Sequence, residues 1–264
     1  RNLRDQCCHL RMLDIKMGEK TAAAGWQGKS YFAALRQSLI DGVTNSQAEG
    51  FRLEGFDGQP PALKSKDPLL DFGSFRESDE TTKKKARRIQ LQRMRASEMF
   101  MNFLDVHQIP DDTGDGEMQM QLTPIELAEL VMSEIVLRLV ELCEACEVTP
   151  VPQKWIGSSV ALGFDDEYLP PRSVSEDTVR KGVKVFIFDW GRSELNTLQR
   201  TTDMSAAEQE DRLKFWSYYS GGCRRLALEA TRFYYHRFGN ANRWTGFGID
   251  VFDFDSSTSS DYIG

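Results

Sequence analysis

Two runs in the second half of the chain, WIGSSVALGF over Trp155–Phe164 and VKVFIF over Val183–Phe188, are apolar and rich in β-branched and aromatic residues. Each has the length of a strand, and a polar stretch containing Pro170 and Pro171 separates them. They read as adjacent strands of a buried sheet, and a chain that contains them must supply elements to cover it.

The covering elements are legible as helical patterns. Thr123-Pro124-Ile125-Glu126 is a helix start, with Thr as N-cap, Pro at the first position and Glu at the third. That helix runs to about Cys146 and stops before Pro150 and Pro152. Met204–Phe238 reads as one or two helices rich in Trp and Tyr. A long basic helix is expected to begin near Thr81 with KKKARRIQLQRMR, and Met99, Phe100, Phe103, Leu104 and Val106 give its second half an apolar stripe. Tyr31–Ile40, with Phe32, Leu35 and Leu39 at helical spacing, reads as a shorter helix.

Two further pieces are strand-like. Leu10–Met17 alternates, with Leu13, Ile15 and Met17 to one side and Met12, Asp14 and Lys16 to the other, and Gly18 ends it. GFRLEGF over Gly50–Phe56 is punctuated by Gly50, Gly55 and Gly58. Gln59–Glu80 and Pro110–Gln121 read as polar loop insertions, and Gly246–Gly264 as a peripheral, Ser-rich tail. There is no internal repeat.

The 264 residues make one large domain or two small ones, and 33 Lys+Arg against 40 Asp+Glu leave a net charge of −7. That balance argues against a dedicated partner of long nucleic acid. No stretch reaches the roughly 20 apolar residues of a membrane-spanning helix. Five cysteines without a regular framework fit a reducing cytosol or nucleus. Cys143 and Cys146 form a CxxC, but it lies inside the helical run Glu126–Glu147, where thiols serve as small core residues. The chain begins at Arg1 with no signal-peptide pattern after it, so it reads as a processed chain or a fragment.

Three features carry chemistry. On a strand, Asp14 and Lys16 leave the same face, about 6.5–7 Å apart along the chain. A carboxylate there can accept a proton from an attacking hydroxyl, and an ammonium can hold an anionic substrate. Asp189 ends the apolar VFIF run and is followed at once by Trp190-Gly191. A carboxylate at a strand end suits a divalent metal, and the glycine lets backbone approach phosphates. Lys83, Lys84, Lys85, Arg87, Arg88, Arg93 and Arg95 are locally discordant in an acidic chain. They form either a solvated helix face or import signal, or an electropositive rim that gathers a polyphosphorylated small molecule. The sequence has no Walker, H-E-x-x-H or G-x-S-x-G motif, and His9, His107 and His236 are dispersed.

In order, these pieces resemble the inositol polyphosphate kinase family. The family's P-x-x-x-D-x-K-x-G segment is similar to Leu10–Gly18, with Asp14, Lys16 and Gly18 in place and Leu10 where the family has Pro. Its short helix leading into a Gly-x-Arg-x-x-Gly strand resembles Phe32–Asn45 followed by Gly50, Arg52 and Gly55. Its basic stretch beside the inositol pocket resembles Lys83–Val106, and its Ser-Ser-Leu-Leu strand is similar to Ser158-Ser159-Val160-Ala161. Its Ile-Asp-Phe-Ala segment resembles Phe188-Asp189-Trp190-Gly191, with Trp190 and Gly191 replacing Phe and Ala, and Arg212–Phe238 stands where its closing helix would.

The resemblance implies an α+β, protein-kinase-like fold with an antiparallel sheet packed with helices, over residues 1–245, followed by the acidic tail. It implies ATP-dependent, Mg²⁺-assisted phosphoryl transfer to an inositol polyphosphate. Asp14 would orient or deprotonate the acceptor, Lys16 and the basic residues Lys83, Lys84, Lys85, Arg87 and Arg88 would bind substrate phosphates, and Asp189 would hold the metal. Gly18, Arg52, Ser158 and Ser159 would support the site. The family's ATP-gripping N-lobe lies upstream of the D-x-K segment, and only thirteen residues precede Asp14, so the expectation is mainly a C-lobe. Two other readings stand beside this one: a non-catalytic polyphosphate-binding module, and a kinase of the same fold acting on a lipid or a protein.

Overall fold

The structure, a computed structural model, describes residues 10–57, 88–104, 124–165 and 175–239. Four segments, β1 (Leu10–Met17), β2 (Phe51–Asp57), β4 (Ser159–Asp165) and β5 (Lys184–Phe188), form one antiparallel sheet in the order β2-β1-β4-β5. The two apolar runs are therefore neighbours, as their composition required. β4 is buried at every position, while β5 lies at the sheet edge and is half-buried throughout.

Burial along β1 alternates as the sequence does. Leu13, Ile15 and Met17 are fully buried, and Met12, Asp14 and Lys16 are partly exposed. Arg11 also lies on the inward side, buried and donating to the Phe103 carbonyl at 3.0 Å.

The run Trp155–Phe164 is not one strand. β3 (Lys154–Trp155) pairs instead with β6 (Ser193–Glu194) in a separate two-stranded ladder, and β4 starts only at Ser159. Gly157 makes the break at φ 70, with the Thr21 carbonyl so close that an added Cβ would sit 2.8 Å from its oxygen. Only glycine admits both the left-handed turn and that approach.

The helices are α1 (Tyr31–Val43), α2 (Asn45–Glu49), α3 (Ala96–Phe103), α4 (Pro124–Glu147), α5 (Glu176–Gly182), α6 (Leu198–Asp203) and α7 (Ala206–Phe238). α4 and α7 cover the buried face of the sheet. Val131, Ile135 and Leu139 of α4, with Tyr219, Cys223 and Leu226 of α7, share one core with Leu13, Ile15 and Met17. α7 is a single helix that passes through Gly221 and Gly222 unbroken. A Cβ at Gly222 would lie 2.3 Å from the Gly50 carbonyl oxygen, so α7 can cross the start of β2 only because that position has no side chain.

The long basic helix is interrupted within the described residues. A helical turn at 88–91 ends, and α3 begins at Ala96. Backbone groups that would carry the helix onward are engaged elsewhere: Gln92 O accepts from Asn45 N at 3.1 Å, and Met94 O accepts from Asn45 Nδ2 at 2.7 Å. Glu98 accepts from the Arg95 amide at 3.1 Å, which starts the new helix there. Met99, Phe100, Phe103 and Leu104 enter the core as their spacing indicated.

Cys146 and Cys223 are buried between α4 and α7 and Cys143 is partly buried, all as free thiols. Burial pushes the Cys143 thiol up to about 12, with Cys146 adding to the effect. These are core residues, and among the described residues no cluster of three His, Cys, Asp or Glu could hold a metal. No described helix is long and apolar enough to cross a membrane. The insertions at Gln59–Glu80 and Pro110–Gln121, the tail from Gly246, and Lys83, Lys84, Lys85 and Arg87 lie outside the described residues.

Candidate active site

Asp14 and Lys16 share one face of β1, a strand paired on both sides. Asp14 stands opposite Gly55 and Ala161, two small residues, and Lys16 stands opposite Arg52 and Ser159. The β1–β2 register slips between Asp14 and Ile15, so that Glu54 is the extra residue of a β-bulge.

From the far edge of the sheet, β5 delivers Asp189. Its backbone is left-handed (φ 64, ψ 50), a conformation that Asp tolerates better than most residues. Lys16 Nζ donates to Asp189 Oδ2 at 2.5 Å and to the Gly157 carbonyl at 2.8 Å. Residues 173 apart in sequence thus meet in an ion pair whose lysine is mostly buried and whose carboxylate is about half exposed.

Ser159 stands opposite Lys16 on the site face, and Ser158 precedes it opposite Met17, whose side chain is on the buried side. The Ser158 carbonyl accepts from the Met17 amide at 3.0 Å, which fixes the start of β4 against the end of β1. Asp14 Oδ1, Ser158 Oγ and Ser159 Oγ are all buried, and the Ser159 hydroxyl faces the Asp14 carboxylate. Burial raises the Asp14 carboxyl above the ordinary value of 3.8; the neighbouring Ser159 hydroxyl and Lys16 oppose that shift, and Glu54 and Asp189 add to it. A carboxylate so placed is a stronger base than a free Asp.

Gly18 ends β1 at φ 96, and its amide donates to Gly50 O at 2.7 Å. Arg52 is not in the ion pair but in a buried network beside it. It donates to Asp41 at 2.6 Å, to Ser46 at 2.6 Å and to Glu54 at 3.0 Å. Asp41 in turn accepts from the Thr21 amide at 2.8 Å and hydroxyl at 2.7 Å. The network ties the loop after β1, α1 and β2 together behind the site.

Arg88, the one member of the Lys83–Arg88 group among the described residues, pairs with Glu54. Burial would raise the Glu54 carboxyl, but Arg52 and Arg88 outweigh it and hold it below 4.5. A depressed carboxylate stabilises the fold above its unfolded value, and that stability is lost as pH falls through the folded one. The melting temperature of the wild type should therefore drop as the medium is acidified below about pH 4.5, and Glu54→Gln should flatten that part of the profile. An unchanged profile in Glu54→Gln would remove Glu54 from this role.

Sequence reasoning missed Thr21, Trp26, Asp41 and Glu54. Trp26 Nε1 donates to Arg192 O at 2.8 Å, and its ring carries Lys154 Nζ 3.8 Å from the centroid. It joins the loop after β1 to the turn after Asp189. The available signal was Asp41, an acid in a stretch of α1 otherwise without one.

Of the two carboxylates here, Asp14 is largely buried and Asp189 is the exposed one that a divalent cation could reach. That suits Mg²⁺, which is held by one or two carboxylates while phosphate oxygens and water fill the remaining positions.

No protein-family model matches the sequence, and no curated protein sequence is similar to it. Solved structures are similar. Inositol phosphate multikinase Ipk2 from S. cerevisiae, determined with ADP and Mn²⁺, superposes with a TM-score of 0.56 at 14% identity, over 88% of this chain and 81% of that one. A second inositol phosphate multikinase structure gives a TM-score of 0.50 at 14% identity, over 88% of this chain and 83% of that one. The chain has an inositol phosphate kinase fold, which is protein-kinase-like.

Proposed function

We propose that this protein transfers the terminal phosphate of ATP to a hydroxyl of an inositol polyphosphate. The observation that carries the proposal is the convergence of Asp14, Lys16 and Asp189, brought together from β1 and the end of β5. The fold it shares with inositol phosphate multikinases supports the choice of substrate class.

In this reading Asp14 takes the proton of the attacking hydroxyl, its basicity strengthened by burial. Lys16, held by Asp189 and the Gly157 carbonyl, presents a fixed positive charge to a phosphate oxygen. Asp189 would hold Mg²⁺ together with the nucleotide phosphates, and the metal would supply charge neutralisation during transfer. Phosphoryl transfer asks mainly for positioning and positive charge, and these residues provide both. The run Lys83, Lys84, Lys85 and Arg87 would add cations for the substrate's remaining phosphates.

The test is incubation of the full chain with ATP, Mg²⁺ and a panel of inositol phosphates, followed by separation of the products. Metal-dependent appearance of a more highly phosphorylated inositol is the expected result. Calorimetric binding of an inositol phosphate without transfer would replace this reading with a polyphosphate-binding module. Transfer only to a head group embedded in a bilayer would move the acceptor to lipid.

A further inference from the structure

α1 is amphipathic in the reverse of the usual sense. Its inward side carries Ala34 and the buried Asp41, whose carboxylate anchors Thr21 and Arg52. Its outward side carries the apolar residues. Phe32 is 81% exposed, Leu39 65%, Leu35 49% and Val43 47%, and Tyr31 beside them is 67% exposed. At helical spacing Phe32, Leu35, Leu39 and Val43 fall in one stripe, opposite Asp41. The spacing that predicts the helix thus describes its free side.

Two arginines border the stripe. Arg36 lies beside the stripe and is exposed, and exposed Arg93 donates its Nε to the Val43 carbonyl at 2.5 Å, at the far end. The only acid of α1, Asp41, is buried and neutralised by Arg52. Two aromatics and three aliphatics, each already partly covered, offer less than the roughly 800 Å² per partner that a stable protein interface buries. A narrow apolar stripe with a cationic border is instead the pattern of a helix lying in the head-group region of a bilayer.

We propose that α1 seats this protein on an anionic lipid surface, with Phe32, Leu35, Leu39 and Val43 entering the acyl boundary and Arg36 and Arg93 meeting lipid phosphates. The proposal does not depend on the kinase reading.

The experiment is co-sedimentation of the full chain with large unilamellar vesicles, of phosphatidylcholine alone or mixed with phosphatidylserine. The wild type should bind the mixed vesicles and bind the neutral ones more weakly. Phe32→Ser with Leu39→Ser should lower the partition coefficient at least about tenfold, because both side chains are exposed and each buries apolar area on insertion. Arg36→Glu, which leaves the apolar stripe intact, should weaken binding to the mixed vesicles only. Failure of the folded wild type to bind mixed vesicles would overturn the proposal. So would equal binding of the double variant, or a wild-type dimer that the double variant converts to monomer without any lipid effect.

Discussion

Asp14→Asn should lower the rate of phosphoryl transfer by about 10²–10⁴-fold, the usual worth of a positioned general base, without weakening the fold. The substitution keeps the shape and removes only the charge and the basic lone pair. Burial is the main reason that the Asp14 carboxyl is raised, so the ionised form is disfavoured in the folded protein. The sign for stability is thus opposite to that of Glu54. A raised carboxylate costs stability above its folded value and ceases to do so as pH falls through it. At neutral pH the Asn variant escapes that cost, and its melting temperature should equal or exceed that of the wild type. Loss of turnover with retained or improved stability would separate a working group from a structural one. Asp189→Asn should behave differently, with a rate loss that higher Mg²⁺ partly restores. If the Asp14 variant turned over at the wild-type rate, the acceptor proton would have to leave by another route.

Arg52→Ala should cost about 3–5 kcal/mol of folding stability, the range for removing one partner of a buried ion pair. Arg52 and Asp41 are both nearly inaccessible, with side chains 3% and 4% exposed. One guanidinium serves two carboxylates, Asp41 through Nη1 and Glu54 through Nε. Its loss leaves negative charge in a poorly solvated region, although Thr21, Gln37, Arg88 and Gln92 still donate to those acids. Arg52→Lys should recover only part of the loss, because a single ammonium lacks the fork that reaches both acids and Ser46. Urea denaturation of the three proteins measures this, and full recovery by lysine would show that charge alone, not geometry, holds the loop, α1 and β2 together.

The sheet and the reactive pair were legible because their signals are local. Alternation in Leu10–Met17 placed Asp14 and Lys16 on one face, and the apolar VFIF run ending in Asp189 placed the metal-type carboxylate at a strand end. The support behind them was not legible, because it is made of long-range contacts between ordinary residues. Nothing near Asp41 in sequence announces that Arg52 and Thr21 will surround it. The bulge at Glu54 depends on the register with β1, which a single strand does not display. The break between residues 91 and 96 arises because Asn45, from a different segment, takes the carbonyls of Gln92 and Met94. In α1 the period was right, but period alone does not say which face is inward. Trp155–Phe164 reads as continuous because Gly157 is silent about the Thr21 carbonyl that requires it.

β1 lies inside the sheet with partners on both sides, whereas Asp189 sits just past the end of an edge strand. The two halves of the site therefore differ in how long they persist. Amides of β1 open only when most of the molecule does, so Asp14 and Lys16 keep their places for the lifetime of the native state. The turn carrying Asp189 and Trp190 lies between the edge strand β5 and the two-residue strand β6, has far less ladder to hold it, and is expected to open by local fluctuation more readily. In the proposed reaction the acceptor side would be the fixed frame, and the side proposed to hold the metal would be the part free to adapt to the nucleotide.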